Sequence, residues 1–172
     1  MSARTRRGFA VLLVACVAAA AACESKPPPK PSPGALVEQY LAQGNRLEAM
    51  RESERLVRAN PRNAELRMVA ARANEAQGDL DRAMEHLAVA EELDPTNGEA
   101  VIRMGEIDQK RNRMDDAYIS FRRAISVAPN DVRAWKGMAM TAEALGFDAE
   151  AEKAYTRWAE LEKAQGLTGN TE

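Results

Sequence analysis

Cysteine is almost missing from this chain. Of 172 residues only Cys16 and Cys23 carry a thiol, and both fall in the first 23 positions. A folded part that begins after them has no disulfide, no cysteine nucleophile and no thiolate metal ligand. Histidine is scarcer still, with His86 the sole imidazole. Zinc centres take three or four ligands, and an acyl-transfer triad needs an imidazole aligned with two partners; His86 has no such set around it in sequence and is expected on a charged helix surface. Neither a phosphate-binding glycine loop nor a nucleophile–base pairing is present, so the reading is a non-enzyme without cofactor or metal. Aromatics make up 5% of residues, whereas 45% are hydrophobic and 29% charged, a balance that suits an all-α protein rather than a sandwich.

Long apolar runs are also lacking, with one exception. Gly8 to Ala22 is uncharged and apolar for 15 residues, and Arg4, Arg6 and Arg7 precede it. That is the layout of an export signal, and the run is shorter than the ~20 residues a spanning helix needs. A permanent membrane anchor and an ordinary secretory signal remain alternatives. Ala20-Ala21-Ala22-Cys23 resembles a bacterial lipobox, which implies cleavage before Cys23 and lipid attachment to its thiol. Leu13-Val14-Ala15-Cys16 fits that consensus better three residues before the cysteine, but it leaves an apolar core at the short edge for a signal, so Cys23 is preferred. Residues 24–34, ESKPPPKPSPG, hold five prolines and no core-building side chain. They read as a polyproline-II tether able to hold a domain about 30 Å from a bilayer.

The rest of the chain is organised by a period of 34. The unit at 64–97 reads AELRMVAARANEAQGDLDRAMEHLAVAEELDPTN. Its turn position recurs as Gly44, Gly78, Asn112 and Gly146; five residues on stand Ala49, Ala83, Ala117 and Ala151. A larger position follows with Ser53, Leu87, Phe121 and Tyr155. Pro61, Pro95 and Pro129 close three units, and Lys163 stands in the fourth, where the last helix is free to run on. A 34-residue period of this kind marks a stack of helix–turn–helix units, none of which buries its apolar face alone. Asn112 suits the left-handed turn almost as well as glycine. In the first helix of the first unit, Leu36, Val37, Tyr40 and Leu41 are expected to face the core. In the last helix, Ala151, Ala154, Tyr155, Trp158 and Leu161 form one stripe that would cap the stack, or leave Trp158 partly exposed for a dimer or partner contact.

These positions resemble the tetratricopeptide repeat family over about 35–165. The resemblance implies a right-handed α-solenoid of about four repeats, at 35–63, 64–97, 98–131 and 132–165, with a signal at 1–22, a lipidated cysteine and tether at 23–34, and a tail at 166–172. It further implies a concave groove lined by the first helix of each repeat. The matching positions are Glu38 and Leu41; Met68, Arg72 and Glu75; Ile102, Glu106 and Gln109; and Lys136, Met140 and Glu143. Leu41, Met68, Ile102 and Met140 would then make a broken apolar strip flanked by charge, suited to an extended peptide or an amphipathic helix. The unit at 64–97, with Ala70, Ala71 and Asn74 in its first helix, would be the thin, adaptable middle of that groove, and 98–131 the better standard for the fold.

Charge is uneven along the chain. Residues 64–97 hold three basic and eight acidic side chains. Arg51, Arg55, Arg58 and Arg62 form a helical row interleaved with Glu48, Glu52 and Glu54, which reads as a solvated face. An acidic exported domain does not suit nucleic acid. The function expected is therefore a lipid-anchored scaffold of the bacterial cell envelope that binds a protein partner, takes no small-molecule substrate, and meets the membrane through Cys23, with its domain in the periplasm or at the surface. The alternatives are a pilotin-like assembly factor for a type IV pilus or secretin, and a structural homo-oligomer.

Overall fold

The computed structural model describes Ser32 and residues 34–166. The export signal, Cys16, Cys23, most of the tether and the final six positions lie outside the described residues. Eight helices are described: α1 (Ala35–Ala42), α2 (Arg46–Ala59), α3 (Ala64–Gln77), α4 (Leu80–Leu93), α5 (Gly98–Lys110), α6 (Met114–Val127), α7 (Val132–Ala144) and α8 (Asp148–Ala164). Among the described residues there is no strand. The architecture is an all-α solenoid of four helix pairs.

Local chemistry sets the period. Each pair turns through a left-handed residue, Gly44, Gly78, Asn112 and Gly146, with φ of 76°, 91°, 58° and 75°. The residue after each turn donates its N–H back to a carbonyl five positions earlier: Asn45 to Tyr40, Asp79 to Asn74, Arg113 to Asp108 and Phe147 to Ala142, all at 2.9 Å. This bond closes the carbonyls that a helix end leaves orphaned. The opposite ends are capped at the same period. Asn63 accepts from the Leu66 N–H at 3.0 Å, Asn97 from Ala100 at 3.4 Å and Asp131 from Arg133 at 2.8 Å. Helices α2, α4 and α6 stop two residues short of Pro61, Pro95 and Pro129, whereas α8, with Lys163 in that place, continues to Ala164.

The core is a series of junctions. One cluster joins the first two pairs through Val37, Ala49, Leu56, Val57, Leu66, Val69, Ala70 and Ala73. A second joins the next two through Met68, Ala71, Ala83, Leu87, Ala90, Ala100 and Ile107. The third centres on Phe121, with Ile102, Ala117, Ala134 and Met138. Phe121 is held by two glycines. A Cβ at Gly105 would lie 2.9 Å from its ring, and one at Gly137 only 2.3 Å. Burying the ring contributes about 2–3 kcal/mol, and small residues let the helices close on it. Ala70, Ala71 and Asn74 are fully buried, so α3 is a packed element; its small side chains serve helix approach and do not thin a groove.

Three expectations change. His86 is 7% exposed, inside the fold rather than on its surface. Leu36 points outward at 42% exposure, leaving Val37, Tyr40 and Leu41 to face the core. The last helix splits its stripe: Ala151, Ala154 and Leu161 are buried, while Tyr155 is exposed and Trp158 half-buried.

Candidate functional site

The first helices α1, α3, α5 and α7 share one face of the stack; α1 touches α3, and α5 touches α7. The expected groove residues fall on these helices in two groups. Met68 and Ile102 are buried at 5% and 0%, each in a core cluster between neighbouring pairs. The apolar strip is corrected accordingly. Met68 and Ile102 belong to the packing between repeats because the following helix covers their position, and Leu41 is half-buried against the first cluster. Only Met140 is an exposed apolar group of that set, at 48%.

The polar members do come together, as a ladder of ion pairs that steps from helix to helix. Glu38 of α1 pairs with Arg72 of α3. Glu75 of α3 takes Arg103 at 3.0 Å and Lys110 at 2.6 Å, both from α5. Arg103 also holds Glu99 at 2.7 Å, and Glu99 pairs across with Arg133 of α7, which Asp131 grips at 3.0 Å. Glu106 and Gln109 are half-buried in the middle of this face, and Glu106 has neither an ion pair nor a side-chain hydrogen bond among the described residues. Lys136 lies over the Trp158 ring, 5.2 Å from its centroid, and Glu143 accepts a hydrogen bond from the Tyr155 hydroxyl.

Environment sets these groups apart. Burial pushes the Glu99 carboxyl up, but the Arg133 hydrogen bond and the charges of Arg133 and Arg103 outweigh it, so its pKa is lowered. Arg133 is correspondingly raised, mainly by its hydrogen bond to Glu99. Glu106 moves the other way. Burial raises its pKa, and Glu75 and Glu99 add to the rise against the pull of Arg133 and Arg103. The result is a face whose charges are mostly cancelled from within, with Glu106, Gln109 and Met140 left to meet something else.

Glu99, Arg103, Lys110 and Arg133 were not among the expected site residues. A signal for part of the ladder does exist in the sequence: Glu38/Arg72 and Glu99/Arg133 are opposite charges separated by one 34-residue period. Elsewhere, His86 of α4 meets Glu54 of α2 at 2.9 Å, with Arg67 of α3 at 3.4 Å from its other ring nitrogen. Asn74 donates to the same Glu54 oxygen at 3.3 Å. The Glu54 carboxyl, pushed up by burial, is held low overall by these partners, His86 foremost. This cluster ties the first pair to the second and lies apart from the first-helix face. No group of three or more potential ligands is placed to hold a metal ion among the described residues.

Helix pairs stacked at a 34-residue period, turned through left-handed residues and bridged between first helices, define a helical-repeat solenoid. Two family profiles, both described as Tetratricopeptide repeat, match residues 35–98 and 75–141 and so together span most of the chain. The chain belongs to the tetratricopeptide repeat family, whose repeats serve as protein-interaction modules. No curated protein matches the chain. Among solved structures it is similar to "Crystal structure of MamA", at 22% identity and TM-score 0.71, covering 77% of each chain. A second MamA structure aligns at 21% identity and TM-score 0.68, over 80% of this chain and 75% of the other. A third, "MamA MSR-1 C2", aligns at 24% identity and TM-score 0.66, over 76% and 75%. At these identities the likeness concerns the fold alone.

Proposed function

We propose that this chain is a lipid-anchored scaffold of the bacterial cell envelope whose first-helix face receives an extended peptide or amphipathic helix from a partner protein. The observation that carries the reading is the internal cancellation of charge on that face. Inter-repeat pairs hold the helices in register, and the groups left open, Glu106, Gln109 and Met140, stand on α5 and α7, which touch. A surface pre-organised in this way binds without first spending energy on its own ordering. The anchor is a separate part of the proposal and rests on the signal-like segment, the lipobox-like Ala20–Cys23 and the proline-rich tether. No helix among the described residues is long and apolar enough to cross a membrane.

Two measurements test the two parts. Cells fed an alkyne fatty acid should label the wild-type chain, and Cys23→Ser should remove the label; retention of full labelling in that variant rejects the anchor. A photo-crosslinking residue at Gln109 should capture a discrete partner in intact cells, and Glu106→Arg should abolish the capture while leaving the helical melting transition in place. Undiminished capture by Glu106→Arg rejects the face. Changes at Met68 or Ile102 would report on folding instead, since both are core residues.

A further inference from the structure

Every junction in this solenoid joins the trailing face of one helix pair to the leading face of the next. Three trailing positions recur at the 34-residue period. The first is Met68 and Ile102, the second Leu87 and Phe121, the third Ala90 and Ala124, and all six are buried beneath the following pair. The fourth pair carries Lys136, Tyr155 and Trp158 at these positions. Among the described residues no following pair covers them: Lys136 and Tyr155 are exposed, and Trp158 is half-buried with Lys136 over its ring. Lys136 is costly to bury beneath an apolar helix, so this face is not shaped for a further repeat like the others. Nor is it an ordinary polar cap. Met140 of α7 stands open, the Tyr155 and Trp158 rings pair with centroids 5.9 Å apart, and the buried indole N–H of Trp158 has no acceptor.

Glu143 indicates what is missing. Its counterpart two periods earlier is Glu75, which draws two cations, Arg103 and Lys110, from the following first helix. Glu143 has only the Tyr155 hydroxyl. A second copy stacked head to tail would bring α1 to this place, with Ala35 and Ala42 where Arg103 and Lys110 stand, and would supply no cation. A second copy placed antiparallel does supply one. Lys136, Met140 and Glu143 lie on one stripe of α7, and the lysine and glutamate are about 10 Å apart along the helix axis. Two α7 helices crossing antiparallel at Met140 set Lys136 of each beside Glu143 of the other. An interface of that kind is isologous, so one pairing is made twice.

We propose that the trailing face of the fourth helix pair is a self-association surface, through which two copies of this chain pair about a two-fold axis at Met140. The reciprocal Lys136–Glu143 contacts fix the antiparallel register, and Tyr155 and Trp158 supply the apolar area. This surface shares Met140 with the first-helix face, but its register rests on Lys136 and Glu143 rather than on Glu106 and Gln109.

Sedimentation equilibrium on the full chain in detergent tests it, with thermal melting as the check on folding. The wild type should be a dimer. Lys136→Glu and Glu143→Lys should each weaken the dimer by at least about tenfold, because each sets like charges opposite one another twice. The double exchange, Lys136→Glu with Glu143→Lys, should restore the dimer to within about threefold of wild type by recreating both pairs in reverse. A wild type that stays monomeric at all concentrations overturns the proposal. So does a dimer indifferent to the single changes, or a folded double exchange that fails to recover.

Discussion

Gly137 does more for this fold than its size suggests. It was not singled out by the repeat pattern, whose small positions are Gly105 and the alanines of the second helices. The structure places it under Phe121, where an added Cβ would come within 2.3 Å of the ring. The contact is to an aromatic that Gly105 also approaches closely, so the ring has little room to retreat. Gly137→Ala should therefore lower stability by about 1–3 kcal/mol despite its gain in helix propensity, and Phe121→Leu in the same chain should recover part of that loss. Chemical denaturation of the two variants checks this; a stabilised Gly137→Ala would show that the ring moves freely. Residue identity alone did not expose the role, because a glycine inside a helix carries no mark of which neighbour approaches it. His86 failed as a surface residue for a related reason. Glu54, which satisfies it, is 32 positions away and is brought to 2.9 Å only by stacking.

At the scale of the helix, turns and stops were legible because they are local. A left-handed glycine or asparagine and a proline two residues past a helix end each act within a few residues. The ion-pair ladder is different, since it couples elements, and its pH response follows from Glu99. The folded pKa of that carboxyl is lowered, so the stability it contributes is present above its unfolded value near 4.5 and is lost as the pH falls through the lower folded value. Wild-type stability should then fall in acid below about pH 4.5 more steeply than that of Glu99→Gln. Denaturant titrations across that range decide the matter, and parallel curves for the two proteins would remove Glu99 from the account. Glu106 has the opposite sign. Its raised pKa makes ionisation less favourable in the folded state than in the unfolded chain, which is consistent with a carboxylate left open for an outside partner.

For the molecule as a whole, the core is a line of junctions rather than one centre. Interior helices such as α5 are packed against pairs on both sides, while α1 meets one neighbouring pair through α3 and α8 packs chiefly on its own partner α7. Stability in such a stack is nearest-neighbour in character. Native-state hydrogen exchange should show the slowest amides in α5 to α7 and faster exchange in α1, which is the shortest helix at eight residues. Uniform protection across all eight helices would mean that the solenoid opens only as a single unit.

The sequence by itself determined the class of fold, the period, the turns and the helix ends, because each is written in residue types that act on their immediate neighbours. It also carried the large residue at 121 and the small ones at 105 and 117 that let helices close together. Only the tertiary structure decided which side of each first helix is covered. That is why Met68 and Ile102, placed on an apolar binding strip by their position in the repeat, turned out to be core. It also decided which charges cancel, since Glu75 meets Arg103, and Glu99 meets Arg133, only when one pair is laid on the next. Periodicity specifies the face on which a side chain stands. Whether that face meets water or a neighbour depends on what is stacked against it.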